Sequence, residues 1–247
     1  MGNDRANLDS AIRHLYEVFG KYRSDTEPSF CKHCVTDEED LRLRSKPLRE
    51  LTADDLARYA WKAISTWGTV EQFKYLLPRL FETVTTSKFR CDTEVLFKKP
   101  RLAGVDGWPE AEKAVLNTYC DALWHYALAH HPLTGTLPSF PSIDDCLCSI
   151  GQIVDDLSPL LAAWDSIRST AATFHLIEFA SENASSLREI RQLSNAFWKE
   201  RPTQMQQVVD WFFSHEFALP FDIATQTTTA WELRDDLTKA IQRRLAP

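Results

Sequence analysis

Apolar side chains recur every three to four positions over most of this chain, and helix caps bracket the repeats. The first stripe consists of Leu8, Ile12, Leu15, Tyr16 and Phe19. It predicts an amphipathic helix over residues 8–22. Because residues at this spacing share one helix face, they are buried only when helices pack on one another. We therefore predict an all-α fold, either an irregular multi-helix bundle or a short α-superhelix of about ten helices.

Three Thr-led capping boxes mark predicted helix starts. In this motif a Ser or Thr and a residue three positions later satisfy each other's free backbone N–H groups. The pairs are Thr36 with Glu39, Thr52 with Asp55, and Thr69 with Gln72. Pro78 lies inside the helix that follows Thr69, and we expect it to kink or split that helix.

Further helices follow from the same periodicity. They are predicted over residues 92–99, 111–129, 142–154, 170–180, 186–199 and 229–245, with two more that begin at Ser158 and Pro202 and a loop over 100–108. The segment 132–141 holds three prolines and one glycine and shows little periodicity. We predict one all-helical domain, residues 1–247, either undivided or formed of two lobes, 1–131 and 142–247, joined by this Pro-rich loop.

Charge and hydropathy limit the classes of partner. The formal net charge is −7, which argues against an extended nucleic-acid surface and favours a basic protein partner. No apolar run approaches the roughly 18 residues of a membrane span. The polar N-terminus lacks the apolar core of a signal peptide. We therefore predict a cytoplasmic protein, with no nucleic acid and no membrane as partners, whose six cysteines are reduced.

The sharpest local motif reads Cys31-Lys32-His33-Cys34 and lies in a polar connection between predicted helices. Two thiolates at this spacing can chelate one metal ion in a tight turn, and zinc prefers sulfur and nitrogen ligands. We predict Cys31, Cys34 and His33 as candidate ligands, with zinc as the metal. A closed site needs four ligands, so the others would come from a distant set: His14, Cys91, His130 or His131.

Two other interpretations of Cys31 and Cys34 stay open. A redox pair needs a lowered thiol pKa, which the start of a helix supplies, and a helix is predicted to begin at Thr36. Thioredoxin-type pairs also follow a strand, and no strand is predicted here. The remaining interpretation is a pair of loop cysteines with no chemistry of their own.

The other cysteines and the histidines have structural interpretations. Cys120, Cys146 and Cys148 read as small core residues on helices. His125, His130 and His131 lie near one predicted helix end, where they either cap the helix or bind a metal. His175 and His215 stand within aromatic segments and are expected to be packed and hydrogen-bonded.

Acidic doublets occur at predicted helix starts, where caps and the helix dipole explain them. Asp155-Asp156 is different because it lies near a predicted helix end, where it opposes the dipole. This position is explained only if the doublet also interacts with the start of the next helix, which begins at Ser158.

Several runs resemble a set of bacterial all-helical proteins that carry an N-terminal Cys-x-x-Cys and have no known activity. The similar runs are residues 47–56, 59–60, 66–68, 73–74, 77–79 and 154–157, together with the Cys-x-x-Cys at 31–34 and Trp164. The resemblance implies a bacterial cytoplasmic origin. It transfers no catalytic or binding residue to this chain.

Three functional hypotheses follow. The first is a non-enzymatic bacterial protein-interaction module, for example an immunity-type inhibitor of a basic partner protein. The second is a metal-binding protein that uses Cys31 and Cys34. The third is a helical enzyme or small-ligand binder with a pocket between helices. The chain shows no glycine-rich phosphate loop, nucleophile elbow or zinc-protease motif, so the sequence names no catalytic or cofactor-binding residue and favours a non-enzyme.

Overall fold

The structure is a computed structural model, and it describes residues 3–24, 27–86, 91–131, 142–167 and 169–214. Every regular element in these ranges is helical, and the only β contacts are isolated bridges from Trp67 to Phe30 and Ala63. The predicted all-α multi-helix fold is confirmed. In the part of the chain that the structure describes, none of the helices combines the length and apolar character needed to cross a bilayer.

The chain divides into two compact units, and among the described residues the division falls between Tyr126 and Ala127. Unit 1 contains α1 (Asn3–Phe19), α2 (Asp37–Arg44), α3 (Ala53–Lys62), α4 (Val70–Thr86), α5 (Thr93–Phe97), α6 (Lys99–Leu102) and most of α7 (Glu110–Ala129), with 3-10 turns at Leu48–Glu50 and Val105–Gly107. Unit 2 contains the end of α7, α8 (Ile143–Ile153), α9 (Ser158–Ser166), α10 (Thr170–Glu182), α11 (Ala184–Ile190) and α12 (Pro202–Phe213), with a 3-10 turn at Ala196–Glu200.

The predicted caps form where local sequence places them. Thr36 and Thr52 each complete a capping box at the starts of α2 and α3. The hydroxyl of Thr69 accepts a hydrogen bond from the backbone N–H of Gln72 at 3.1 Å, before α4. Each cap satisfies an N–H group that the first helical turn leaves free.

Two expectations about helix limits are wrong, and one of the two alternatives at Pro78 is excluded. Helix α4 runs through Pro78 as one continuous segment, so Pro78 does not split it. Most of the predicted loop 100–108 is the helix α6 and a 3-10 turn. The predicted helix 186–199 ends at Ile190, because Arg191 adopts a left-handed φ of 52°. The predicted loop 132–141, the helix 229–245 and His215 lie outside the described residues.

In unit 1 the core lies where α1 packs against α4 and the aromatic rings of α5 and α7 fill the space beside them. The rings of Phe81 and Phe97 stack at 4.8 Å, and the Tyr119 hydroxyl donates to the Phe81 carbonyl at 2.8 Å. This aromatic packing explains why so many apolar positions in the sequence are rings.

The carboxylate of Glu112 is buried in this core. Glu112 has no solvent exposure and pairs with Lys74 at 2.8 Å and Lys21 at 2.6 Å. The Tyr22 hydroxyl donates to the same carboxylate at 2.7 Å. Burial alone would raise the pKa of Glu112, but the hydrogen bonds from Lys21 and Lys74 outweigh it and lower the pKa. The cluster holds the start of α7 to α4 and to the segment after α1.

In unit 2 a buried arginine joins the end of α8 to the start of α12. The Arg201 guanidinium donates to the carbonyl oxygens of Gly151 at 2.7 Å and Val154 at 3.1 Å, and to Asp155 at 2.6 Å. Asp156 instead accepts from the backbone N–H of Ser158 at 3.0 Å, at the start of α9. The Asp155-Asp156 doublet therefore serves both neighbouring elements, as its position next to Ser158 predicted.

Candidate metal site

Three metal-ligating side chains of unit 2 converge between the end of α7 and the middle of α10. His131 follows α7 by two residues, and His175 and Glu178 lie three residues apart on α10. Residues at this spacing share one helix face. One ligand atom from each of the three lies within 4.8 Å of the other two. It is the one such group among the residues that the structure describes.

The imidazole of His175 is fixed by two backbone carbonyls. Its Nε2 lies 2.8 Å from the carbonyl oxygen of His130 and 3.0 Å from that of Ala127. Because a carbonyl oxygen only accepts, Nε2 carries the hydrogen, and Nδ1 of the neutral ring keeps its lone pair. This is the second-shell arrangement that orients a metal-binding histidine.

The Nδ1 lone pair of His175 accepts no hydrogen bond from the described residues. The ring is 6% exposed, and no described residue forms a hydrogen bond with the buried Nδ1. Burial lowers the pKa of His175, which favours the neutral ring that a metal requires. A buried acceptor without a partner costs about 1–3 kcal/mol, so the chain sustains this position at an energetic cost.

His131 packs beside His175 in this group of three side chains. Its ring stacks on Phe174 at 5.2 Å and meets the His175 ring edge-on at 4.7 Å. Its Nε2 lies 3.0 Å from the Glu178 carboxylate. The aromatic contacts leave the His131 ring little rotational freedom, so its nitrogen is held toward the carboxylate.

The spacing of these groups suits one small cation after a short adjustment. Zinc binds histidine nitrogen and carboxylate oxygen at about 2.0–2.2 Å, which puts tetrahedral ligand atoms about 3.3 Å apart. The three atoms lie within 4.8 Å of one another, and the His131 nitrogen and the Glu178 oxygen are already 3.0 Å apart, so only a modest side-chain adjustment separates the group from that spacing. That side chain is 39% exposed while His131 is buried, so the solvent side of the site offers a fourth position.

The Cys-x-x-Cys motif lies in unit 1 and forms a tight turn. The backbone N–H groups of Cys34 and Val35 donate to the Cys31 carbonyl at 2.8 Å and 3.0 Å. Cys31 is exposed and Cys34 is half-buried. In the described ranges these sulfurs are not part of any group of three ligand atoms within 4.8 Å of one another. His33 therefore does not complete a three-ligand set with Cys31 and Cys34 in this conformation.

Two cationic side chains hold this turn on the surface of α3. Lys62 and Arg58 donate to the Cys34 carbonyl at 2.6 Å and 3.0 Å. The pKa of Cys31 lies below its ordinary value because the backbone N–H of His33 and the Cys34 side chain donate hydrogen bonds that favour its thiolate, and Lys62 adds positive charge. Cys31 thus has the partly exposed, positive surroundings of a reactive thiol.

The other cysteines are core residues. Cys120, Cys146 and Cys148 are buried on α7 and α8, as their apolar neighbours predict. Cys91 is buried too, and burial raises its pKa to about 12. These four thiols are unreactive at neutral pH.

A polar groove between α1 and α7 gathers two further histidines. It encloses about 500 Å³. His14 and His125 line it with Arg13, Glu17 and Asp121. His125 lies 3.8 Å from Asp121 across one helical turn. His14 and His125 therefore belong to a surface groove of unit 1, and neither joins the convergent group of unit 2.

The sequence contained a partial signal for the convergent group. His175 and Glu178 are spaced to share a helix face, and that spacing alone nominates a two-ligand element. His131 lies 44 positions earlier, so only the tertiary fold brings it to that face. The structure confirms that His175 is packed and hydrogen-bonded through Nε2, whereas the free Nδ1 was not predicted.

Comparison with protein-family models, with curated proteins and with solved structures gives no match. The fold class and the geometry of the convergent group are therefore the basis for assigning a function.

Proposed function

We propose that this protein binds a zinc-class divalent cation through His131, His175 and Glu178. The observation that carries the proposal is the buried Nδ1 lone pair of His175, which has no hydrogen-bond partner among the described residues, in a ring that belongs to a group with a second histidine and a carboxylate. A buried acceptor of this kind is explained most simply by an electrophile that occupies the space between the three groups.

The donor set selects the class of ion. Two imidazoles and one carboxylate suit zinc and neighbouring transition metals, whereas magnesium and calcium prefer oxygen ligands throughout. Three protein ligands with one open position are typical of catalytic zinc sites, while structural sites use four. A zinc ion held this way lowers the pKa of a bound water to about 7 and so supplies hydroxide at neutral pH.

The competing interpretation is an ion pair between His131 and Glu178 with no ion bound. It accounts for the 3.0 Å contact but leaves the buried Nδ1 of His175 without a hydrogen-bond partner among the described residues. The hypothesis of an acidic module with a basic protein partner, in a bacterial cytoplasm, stands as a separate proposal. A pull-down from the native host that recovers a stoichiometric basic protein would support it.

The test is a calorimetric titration of the metal-free full-length chain with zinc, followed by metal analysis of the dialysed protein. We expect one equivalent to bind. The Glu178→Gln variant keeps the size of a half-exposed side chain and removes the anionic ligand. Its affinity should fall by more than the roughly 10-fold to 100-fold that loss of an outer-shell partner costs.

Two variants serve as controls. His125→Ala removes a histidine that also has an acidic neighbour but lies in unit 1, and it should bind zinc as the wild type does. The double variant Cys31→Ser with Cys34→Ser tests the sulfur site on its own. The proposal is contradicted if Glu178→Gln binds zinc as tightly as the wild type does. If the cysteine variant also loses binding, the metal site is at the sulfurs instead.

A further inference from the structure

The backbone of the Cys31–Cys34 turn holds the two cysteines at a separation that a disulfide bond can span. A four-residue turn closed by a hydrogen bond from residue four to residue one brings its end Cα atoms within about 7 Å. A disulfide spans Cα separations of about 4.4–6.8 Å. The 2.8 Å bond from the Cys34 N–H to the Cys31 carbonyl therefore holds the two residues within bonding reach of each other.

The rest of unit 1 fixes this turn in place. The Cys31 N–H donates to the Thr66 carbonyl at 2.9 Å, and the Gly68 N–H donates to the Ser29 carbonyl at 2.6 Å. At its other end Lys62 and Arg58 hold the Cys34 carbonyl. Because the backbone is anchored on both sides, oxidation changes the two side chains without moving the chain around them.

The two sulfurs differ in access. Cys31 is exposed, and Cys34 is half-buried behind it. An exchanging pair needs an accessible nucleophile and a shielded partner that resolves the mixed disulfide. The positive charge of Lys62 lies where it stabilises the thiolate of the accessible member. A closed zinc site would need further ligands around both sulfurs, and the described residues supply no third one to this pair.

We infer that Cys31 and Cys34 form a reversible dithiol–disulfide pair that exchanges with low-molecular-weight disulfides. The Cys31 thiolate attacks one sulfur of the small disulfide, so a mixed disulfide forms and one thiolate leaves. The Cys34 thiolate then attacks the Cys31 sulfur and displaces the second thiolate. The chain loses two electrons and two protons, and the small disulfide gains both as two thiols. Reduced small thiols reverse the sequence.

The experiment uses the reduced, metal-free full-length chain and defined ratios of glutathione disulfide to glutathione. Intact-mass measurement follows the products, and peptide mapping assigns the bonds. Wild-type protein should form a Cys31–Cys34 disulfide. Cys34→Ser should stop at a glutathione adduct on Cys31. Cys31→Ser should react at Cys34 at least about tenfold more slowly than Cys34→Ser reacts at Cys31, because Cys34 is less accessible.

Matched controls separate this pair from the other cysteines and from the metal site. The buried Cys120, Cys146 and Cys148 should stay unmodified in the folded protein, which circular dichroism monitors for every variant. Glu178→Gln should exchange as the wild type does, so failure of the metal proposal leaves this result unchanged. The inference is overturned if no intramolecular disulfide forms at any ratio. It is equally overturned if protein purified without chelator holds zinc that Cys31→Ser loses.

Discussion

His175 donates a hydrogen bond from Nε2 to the carbonyl oxygen of His130 at 2.8 Å and so ties the middle of α10 to the end of α7. The same nitrogen reaches the Ala127 carbonyl at 3.0 Å. The last carbonyls of a helix have no partner within the helix. A histidine from another helix therefore caps α7, and its buried Nδ1 is left without a hydrogen-bond partner among the described residues.

Replacing His175 should destabilise the protein even without metal. His175→Ala removes the donor to two helix-end carbonyls and leaves a cavity, and we expect a loss of about 2–4 kcal/mol in the free energy of unfolding. Urea denaturation of metal-free protein measures it. His125→Ala, at an exposed ring, should change stability by less than about 0.5 kcal/mol. Similar losses in the two variants would refute the capping role.

Replacing the buried Glu112 should lower the stability of the protein far more than replacing its exposed partner Lys21. Glu112→Gln removes the anion that pairs with the buried Lys74, and an uncompensated buried charge costs about 3–5 kcal/mol. Lys21→Met removes a partner whose side chain is 54% exposed, and its effect should be much smaller because Lys74 still neutralises Glu112 and exposed ion pairs contribute little. Thermal unfolding of the two variants makes the comparison. Equal shifts in Tm would contradict this account of the cluster.

Because Asp144 is buried, the free energy of unfolding should fall as the pH rises. Burial, followed by repulsion from Asp145, raises the pKa of Asp144 from 3.8 to about 7. The folded state therefore holds this proton more tightly, so the stabilisation is complete below the unfolded pKa and is lost as the pH rises through about 7. Between about pH 4 and about pH 8, Asp144→Asn should gain about 2–4 kcal/mol relative to wild type. Asp145→Asn removes the repulsion that contributes to this shift and should weaken the pH dependence without abolishing it, because burial is the larger cause. A gain that does not depend on pH would show that the pKa of Asp144 is not raised in the folded protein.

Ile64 carries backbone strain beside the cysteine turn. Its φ is 68°, a conformation that costs a β-branched residue about 1–3 kcal/mol. Asn adopts this region more readily, so Ile64→Asn should raise the free energy of unfolding by about 0.5–1 kcal/mol, after the loss of some apolar contact. Ile64→Val keeps the branch and should give no gain. Urea denaturation decides between them, and a loss in the Asn variant would show that packing outweighs the strain.

Sequence predicts the parts of this structure that depend on neighbouring residues. The caps at Thr36 and Thr52 form because three positions suffice to specify them. The end of α11 at Arg191 was not predictable from a glycine signal, since a non-glycine residue adopts the left-handed conformation there. The meeting of His131 with His175 and Glu178 required the fold, because nothing within either segment specifies the other.

The hydrogen bonds of Arg201 join residues that lie 46 to 50 positions apart. They form only after that length of chain has closed on itself, which carries an entropic cost. The backbone N–H groups at the end of α8 and in the first turns of α12 should therefore lose their protection together when this part of unit 2 opens. Amide hydrogen exchange at the two sites should report one shared opening event instead of independent fraying at each helix end.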